Sequence, residues 1–118
     1  MTTPLTTPLV HRDALDVQTL LDLELCTVIV GGDVDASNAA ELGGRLAELF
    51  GRRDVLALEL DLTGVTYLGA AGLRALVAAH QTAERTSRTL RIRCGSSRAV
   101  RRPLQITGLD TVLPVVDR

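Results

Sequence analysis

Val55-Leu56-Ala57-Leu58-Glu59-Leu60-Asp61-Leu62 is the stretch on which the architecture turns. Leucine alternates there with Val, Ala, Glu and Asp, a period of two that belongs to an extended strand, and its near-continuous apolar character suits a central strand covered on at least one face. The residues that follow, Thr63-Gly64-Val65-Thr66-Tyr67-Leu68-Gly69, read as a loop. From Ala70 to Arg85 the period changes: Leu73, Leu76, Val77 and His80 recur at helical spacing, and six alanines allow close packing. A strand, a glycine-punctuated loop and a strong helix in that order are the core of a β-α crossover unit.

Working outward, Ala39, Leu42, Leu46, Leu49 and Phe50 share one face of an earlier helix, whose other face carries Glu41, Arg45, Glu48 and Arg52. Asp35 or Ser37 is placed to cap its first turn, and the charged turn Gly51-Arg52-Arg53-Asp54 ends it. Before it, Leu23 to Val30 reads as a strand leading into Gly31-Gly32, preceded by a shorter strand near Leu15 to Thr19. On the carboxyl side, Thr89 to Cys94 alternates as a half-exposed strand, and Gly95-Ser96-Ser97 opens a basic helical segment with Val100, Leu104 and Leu109. Pro103 lacks an amide and crowds the preceding turn, so the helix is expected to start near it or break just before it. Val112 to Val116 is read as a short edge strand.

The resulting order, β-β-α-β-α-β-α, makes this an α/β chain: a mixed, mostly parallel sheet of four to five strands packed with three to four helices. The first strand pair, with no helix between its members, is expected as an antiparallel hairpin. Residues 1–12, with Pro4 and Pro8, read as a flexible leader, and 13–118 as the single domain.

Composition narrows the chemistry. The 118-residue chain carries thirteen basic residues, all arginine, against fourteen acidic ones. Without lysine, a Walker-type phosphate loop, a Schiff base and a Ser/Lys pair are all excluded as side-chain chemistries. Phe50 and Tyr67 are the only large aromatic rings and the net charge is −1, so there is neither a stacking platform for single strands nor a counterion-release drive towards duplexes. Direct binding of nucleic acid is not expected. Cys26 and Cys94 sit in apolar strand-like runs without metal spacing and read as buried thiols of a reducing compartment. Met1 to Val10 has no basic start and no continuous apolar run, so a secretory signal is not expected, nor is membrane insertion, and the protein is read as cytoplasmic. His11 and His80 find no nucleophile or ligand at a recognisable spacing, and no nucleophile, base and oxyanion donor are brought together. Neither catalysis nor a cofactor is expected. Arg98, Arg101 and Arg102 read as a solvated helix face.

In such a sheet, function concentrates at the loops after the carboxyl ends of the strands. Two of these stand out: Gly31-Gly32-Asp33-Val34-Asp35, and the run from Asp61 through Thr63-Gly64-Val65-Thr66-Tyr67-Leu68-Gly69-Ala70-Ala71-Gly72 to Leu73. At these two runs, and at Ile106-Thr107-Gly108-Leu109-Asp110, the chain resembles the STAS domain of bacterial anti-sigma-factor antagonists over residues 23 to 114. The resemblance implies a STAS-type fold and a protein partner: an anti-sigma factor or serine-kinase-like protein whose sequestration affects transcription indirectly. In partner-switching members the second run reads Asp-Ser-Ser-Gly at the helix start, and its first serine is phosphorylated by that kinase.

Here the run reads Gly69-Ala70-Ala71-Gly72. Ala70 stands at the phosphoacceptor position and has no hydroxyl, so the phosphate that would add about −1.5 to −2 charges cannot be attached there. Tyr67, Leu68, Gly69, Ala70, Ala71 and Leu73 are then the expected apolar contact surface, with Asp33, Asp35, Ser37 and Thr66 at its rim. Each has a plainer reading beside it. Gly64, Gly69 and Gly72 serve turns and close packing, Leu73 is core, Asp61 hydrogen-bonds its own loop, and Asp35 is a cap. Ser37, Thr66, Ser96 and Ser97 are the hydroxyls left at this end. Two other expectations stand beside the first: a stand-alone accessory subunit of an ABC-type transporter, and nucleotide sensing by the same loops, which the lack of lysine weakens. A homodimer is compatible with each of them.

Overall fold

A computed structural model describes residues 3–6 and 15–117. The leader drawn over residues 1–12 lies mostly outside them, as does His11. The described part of it, Thr3–Thr6, is strand β1. The remaining elements are β2 Leu15–Asp22, β3 Leu25–Val34, α1 Ala39–Phe50, β4 Ala57–Leu68, α2 Ala70–Arg85, β5 Thr89–Arg93 and α3 Arg98–Thr107, followed by a 3-10 turn at Leu109–Thr111.

The strands lie side by side in chain order, β1 to β5. β1–β2 and β2–β3 are antiparallel, whereas β3–β4 and β4–β5 are parallel. Within β2–β5, two of the three pairings are thus parallel, and the hairpin expected at the start is present. The period-two pattern puts one set of side chains under the helices. Val17, Val28, Leu60 and Ile92 are fully buried on paired strands, joined by Leu58, Leu62 and Leu90. α1 delivers Leu42, Leu46, Leu49 and Phe50 to that core, α2 delivers Leu76, and α3 delivers Val100 and Leu104.

Several expectations change in detail. The hairpin turns at Leu23-Glu24, so β2 runs on to Asp22 and Leu23 is not a strand residue. β4 does not end at Leu62: Thr63 to Leu68, expected as a loop, stays paired with β3, with register shifts at Ile29/Gly31 and Gly32/Asp33. Gly31 and Gly64 face each other across the pair beside one of these shifts, where a β-carbon on either would meet the other strand's backbone at 3.5–3.6 Å, ordinary contact. The fully buried residues of α2 are Gly72, Leu76, Ala79 and Ala83, so of the expected stripe Leu76 is fully buried, while Leu73, Val77 and His80 are only partly buried, the first two packed against the core. His80 instead faces Glu84, with Nε2 3.8 Å from the carboxylate.

α3 runs unbroken through Pro103. The proline leaves the carbonyl of Ala99 without its helical donor, but burial of Val100 and Leu104 on either side holds the turn together. Val112 to Val116 contributes a single parallel bridge, Val115 to Ile92, rather than a strand.

That bridge belongs to a carboxyl-terminal clamp. The Asp117 carboxylate accepts from the amides of Cys94 (2.9 Å) and Gly95 (2.7 Å), while Arg101 donates to the carbonyls of Gly95 and Asp117. Arg101 is therefore anchored rather than part of a solvated face. Burial works to raise the Asp117 pKa, but the two amides and the Arg101 charge outweigh it and hold the carboxyl below its ordinary value. Because the folded-state pKa is depressed, the ionised clamp contributes its full stability above about pH 4 and loses it as pH falls through the folded value. Asp117→Asn should therefore destabilise the domain by about 1–2 kcal/mol at pH 7. In urea titrations, the gap between wild type and variant should narrow progressively as pH is lowered below about 4, and a gap unchanged down to the acid limit of folding would exclude this account.

Candidate functional site

The parallel strands β3 and β4 both end at one pole of the sheet, and each feeds a helix there, so two chain segments meet at one surface. Asn38, buried, is the residue before α1. Its side chain accepts from the Asp35 amide (3.0 Å) and donates to the Asp33 carbonyl (2.9 Å), tying the loop to the end of β3. Neither Asp35 nor Ser37 caps α1 by its side chain. The Asp35 carbonyl receives the Asn38 and Ala39 amides, and its carboxylate accepts from the Ser37 amide and hydroxyl at 2.9 and 2.6 Å. Asn38 is the organising residue that pattern reading missed; the signal was a small amide side chain one position before the apolar period of α1 begins.

Across the strand gap, the Thr66 hydroxyl donates to the Asp33 carboxylate at 2.7 Å, and the Gly69 amide donates to the Val34 carbonyl at 3.0 Å. These bonds join the tip of β4 and the start of α2 to the end of β3. The expected rim residues Asp33, Asp35, Ser37 and Thr66 are thus brought together, with the Thr66 and Ser37 hydroxyls both turned onto carboxylates. Ser97 belongs elsewhere: its hydroxyl donates to the Val65 carbonyl at 3.0 Å and braces the far edge of β4. Asp61 keeps the plainer role, accepting from the Thr63 amide and hydroxyl.

The apolar surface is smaller than the sequence suggested. Tyr67 is 53% exposed and Ala70, the first residue of α2, is open to solvent, with Gly69, Ala71 and Leu73 half-buried beside them. Leu68 is not part of it. Strand alternation turns this side chain into the core, where it lies against Gly72: a β-carbon on Gly72 would fall 2.6 Å from Leu68 Cδ1 and 2.9 Å from Val34 Cγ1. Gly69 has a different neighbour, since a β-carbon there would sit 3.0 Å from the Tyr67 ring. The tyrosine therefore folds over the helix start, and a side chain at position 69 would have to displace it. Beyond Leu73, an apolar groove of ≈350 Å³ runs between α2 and α3 past Val77, Ala78 and Leu109.

Among the described residues no group of three His, Cys, Asp or Glu could hold a metal ion, and no helix is long and apolar enough to cross a membrane. Cys26 and Cys94 are buried and unpaired, and burial, with the Asp117 charge adding to it, pushes the Cys94 thiol up to about 11. A thiol held protonated at neutral pH is a poor nucleophile.

Residues 17–116 match the family described as Mlab, STAS domain. The chain belongs to the STAS domain family. Among solved structures, this STAS domain is similar to an anti-sigma factor antagonist from Mycobacterium paratuberculosis, at 25% identity and a TM-score of 0.79, over 92% of this chain and 90% of that one. The fold is also shared with SpoIIAA in its unphosphorylated form, at 13% identity and a TM-score of 0.72, over 89% and 88% of the two chains. The Bacillus cell fate determinant SpoIIAA in its phosphorylated form superimposes at 12% identity with a TM-score of 0.67, over 89% and 91%. The α/β architecture expected from the sequence is thus the STAS fold.

Proposed function

We propose that this STAS domain is a non-catalytic docking module of the anti-sigma-factor-antagonist type, acting in the cytoplasm on an anti-sigma factor or kinase-like protein and so on transcription indirectly. The observation that carries this reading is the surface around Ala70: a small, uncharged, solvent-open residue at the first position of α2, beside the exposed Tyr67 ring and half-buried Ala71 and Leu73. Asp33 and Asp35 supply a polar rim whose loops are already tied in place by Asn38 and Thr66. A preformed apolar centre with a polar margin is what a protein partner reads, and little ordering is left to be done on binding. Similarity to the mycobacterial antagonist supports the class of partner. With alanine at position 70 the surface has no hydroxyl to modify there, so docking is governed by competition and concentration rather than by phosphate at that site.

Capture from the source organism with the tagged chain tests the reading. The expected product is a kinase-like or sigma-regulating protein, whose recovery is competed away by untagged chain. Recovery of a transport ATPase instead, or of no such protein under conditions in which a serine-bearing relative captures its own partner, would overturn it.

A further inference from the structure

β2 carries one polar residue into the core. Leu15, Val17 and Thr19 alternate onto the helix-covered face of the sheet, and Thr19 is only 2% exposed. Its backbone is paired on both sides, opposite Leu5 of β1 and Val28 of β3, so the side chain is what turns towards α1. Among the described residues its hydroxyl oxygen is the one buried side-chain polar atom without a hydrogen-bond partner. Such a hydroxyl costs stability that valine, its isostere and the residue at the preceding inward position, does not. Thr19 lines a cavity of ≈380 Å³, whose other described walls are Arg45, Glu48 and Leu49 of α1 and Arg52 just beyond that helix. We propose that this cavity binds a small monocarboxylate with an apolar tail.

The lining selects that class. Arg45 is half-buried, and among the described residues it has no hydrogen bond or ion pair. Its guanidinium is a planar fork that matches the two oxygens of one carboxylate. Arg52 gives Nε and Nη2 to Asp54 at 2.9 and 2.8 Å, which leaves Nη1 uncommitted among the described residues. Glu48 is exposed and sets a negative charge beside them. With Asp54 answering Arg52, Arg45 is the cation left over, so a single negative charge is favoured over the two of a phosphate. Leu49, 9% exposed, is the apolar floor on which the tail lies. Thr19 supplies the remaining polar contact: its oxygen is screened from water, and one step between staggered χ1 wells, about 120° apart, presents it to the bound carboxylate. No residue of the Ala70 surface lines this cavity, so this reading and the docking reading fail or stand independently.

NMR titration of the full chain with hexanoate provides the test, carried to about 20 mM against an expected dissociation constant on the order of 1 mM. The amides of Thr19, Arg45 and Leu49 should shift along one saturable curve, while those of Tyr67 and Ala70 stay in place. Hexanol, with the same tail and no charge, and inorganic phosphate should each bind at least about tenfold more weakly. Arg45→Gln should weaken hexanoate binding by about tenfold or more, and Glu48→Gln should tighten it. Thr19→Val separates a ligand contact from a structural residue. Its Tm should rise by about 4 °C as the unpartnered hydroxyl is removed, while its affinity for hexanoate falls about threefold or more, and Thr19→Ser should bind within about twofold of wild type. No saturable shift by about 20 mM, hexanol or phosphate binding as tightly as hexanoate, or a Thr19→Val chain that binds hexanoate as wild type does would overturn the proposal.

Discussion

Gly72→Val should lower the melting temperature by about 10 °C or more, the equivalent of about 2–3 kcal/mol in a domain of this size. A β-carbon at this position already falls 2.6 Å from Leu68 Cδ1 and 2.9 Å from Val34 Cγ1, and valine adds two methyl groups to it. Both neighbours are buried, so neither can swing into solvent. Relief must come from moving α2 off the sheet. Val34 ends β3 and its carbonyl receives the Gly69 amide, so the same displacement opens the junction that positions Ala70. Gly44→Ala on α1 is the control: a β-carbon there would meet nothing within 4 Å, and alanine should stabilise the helix by about 0.5–1 kcal/mol. Thermal unfolding of the two variants distinguishes a packing glycine from a generic helical one, and a Gly72→Val chain as stable as wild type would refute the close-packing account.

The contrast between these glycines shows what the chain made legible. Alternation and helical period carry burial, so the β3, β4 and α1 cores could be read directly from Val28, Leu60, Leu42 and their neighbours. The tip of β4 could not. Thr63, Gly64 and Thr66 have loop composition, yet backbone pairing with β3 continues there, Gly64 opposite Gly31, and the Thr66 hydroxyl reaches Asp33, pairings made by residues 33 positions apart. The stripe of α2 was legible only in part: apolar content pointed to Leu73, Leu76 and Val77, of which Leu76 is fully buried, whereas the other fully buried positions are Gly72, Ala79 and Ala83, small residues whose burial hydropathy does not signal. Pro103 followed local chemistry in the sequence and tertiary burial in the fold. Of the surface around Ala70, its location was legible from the two loop signatures, whereas the inward turn of Leu68 and the role of Asn38 depend on strand phase and on a loop closing back upon itself.

Ala70→Asp should abolish partner capture while leaving the domain folded. Ala70 is the first residue of α2, the residue before it offers no side-chain cap, and the first turn contains no acidic group. An aspartate there meets the positive end of the helix dipole and should stabilise the free domain by about 0.3–1 kcal/mol. Inside an apolar contact the same carboxylate loses its water without gaining a partner, which costs about 2–5 kcal/mol and weakens binding by about thirtyfold or more. The opposite signs matter: a merely structural position would lose stability and binding together, whereas a docking position gains the first and loses the second. Ala70→Ser carries the argument one step further, because it restores a hydroxyl where the STAS resemblance places the phosphoacceptor. With the captured kinase-like partner and ATP, this variant should gain one phosphate by mass spectrometry and then release the partner, while wild type gains none at this position. Undiminished binding by Ala70→Asp would move the interface away from α2, and a phosphorylated Ala70→Ser chain that stays bound would show that charge at this position does not control docking.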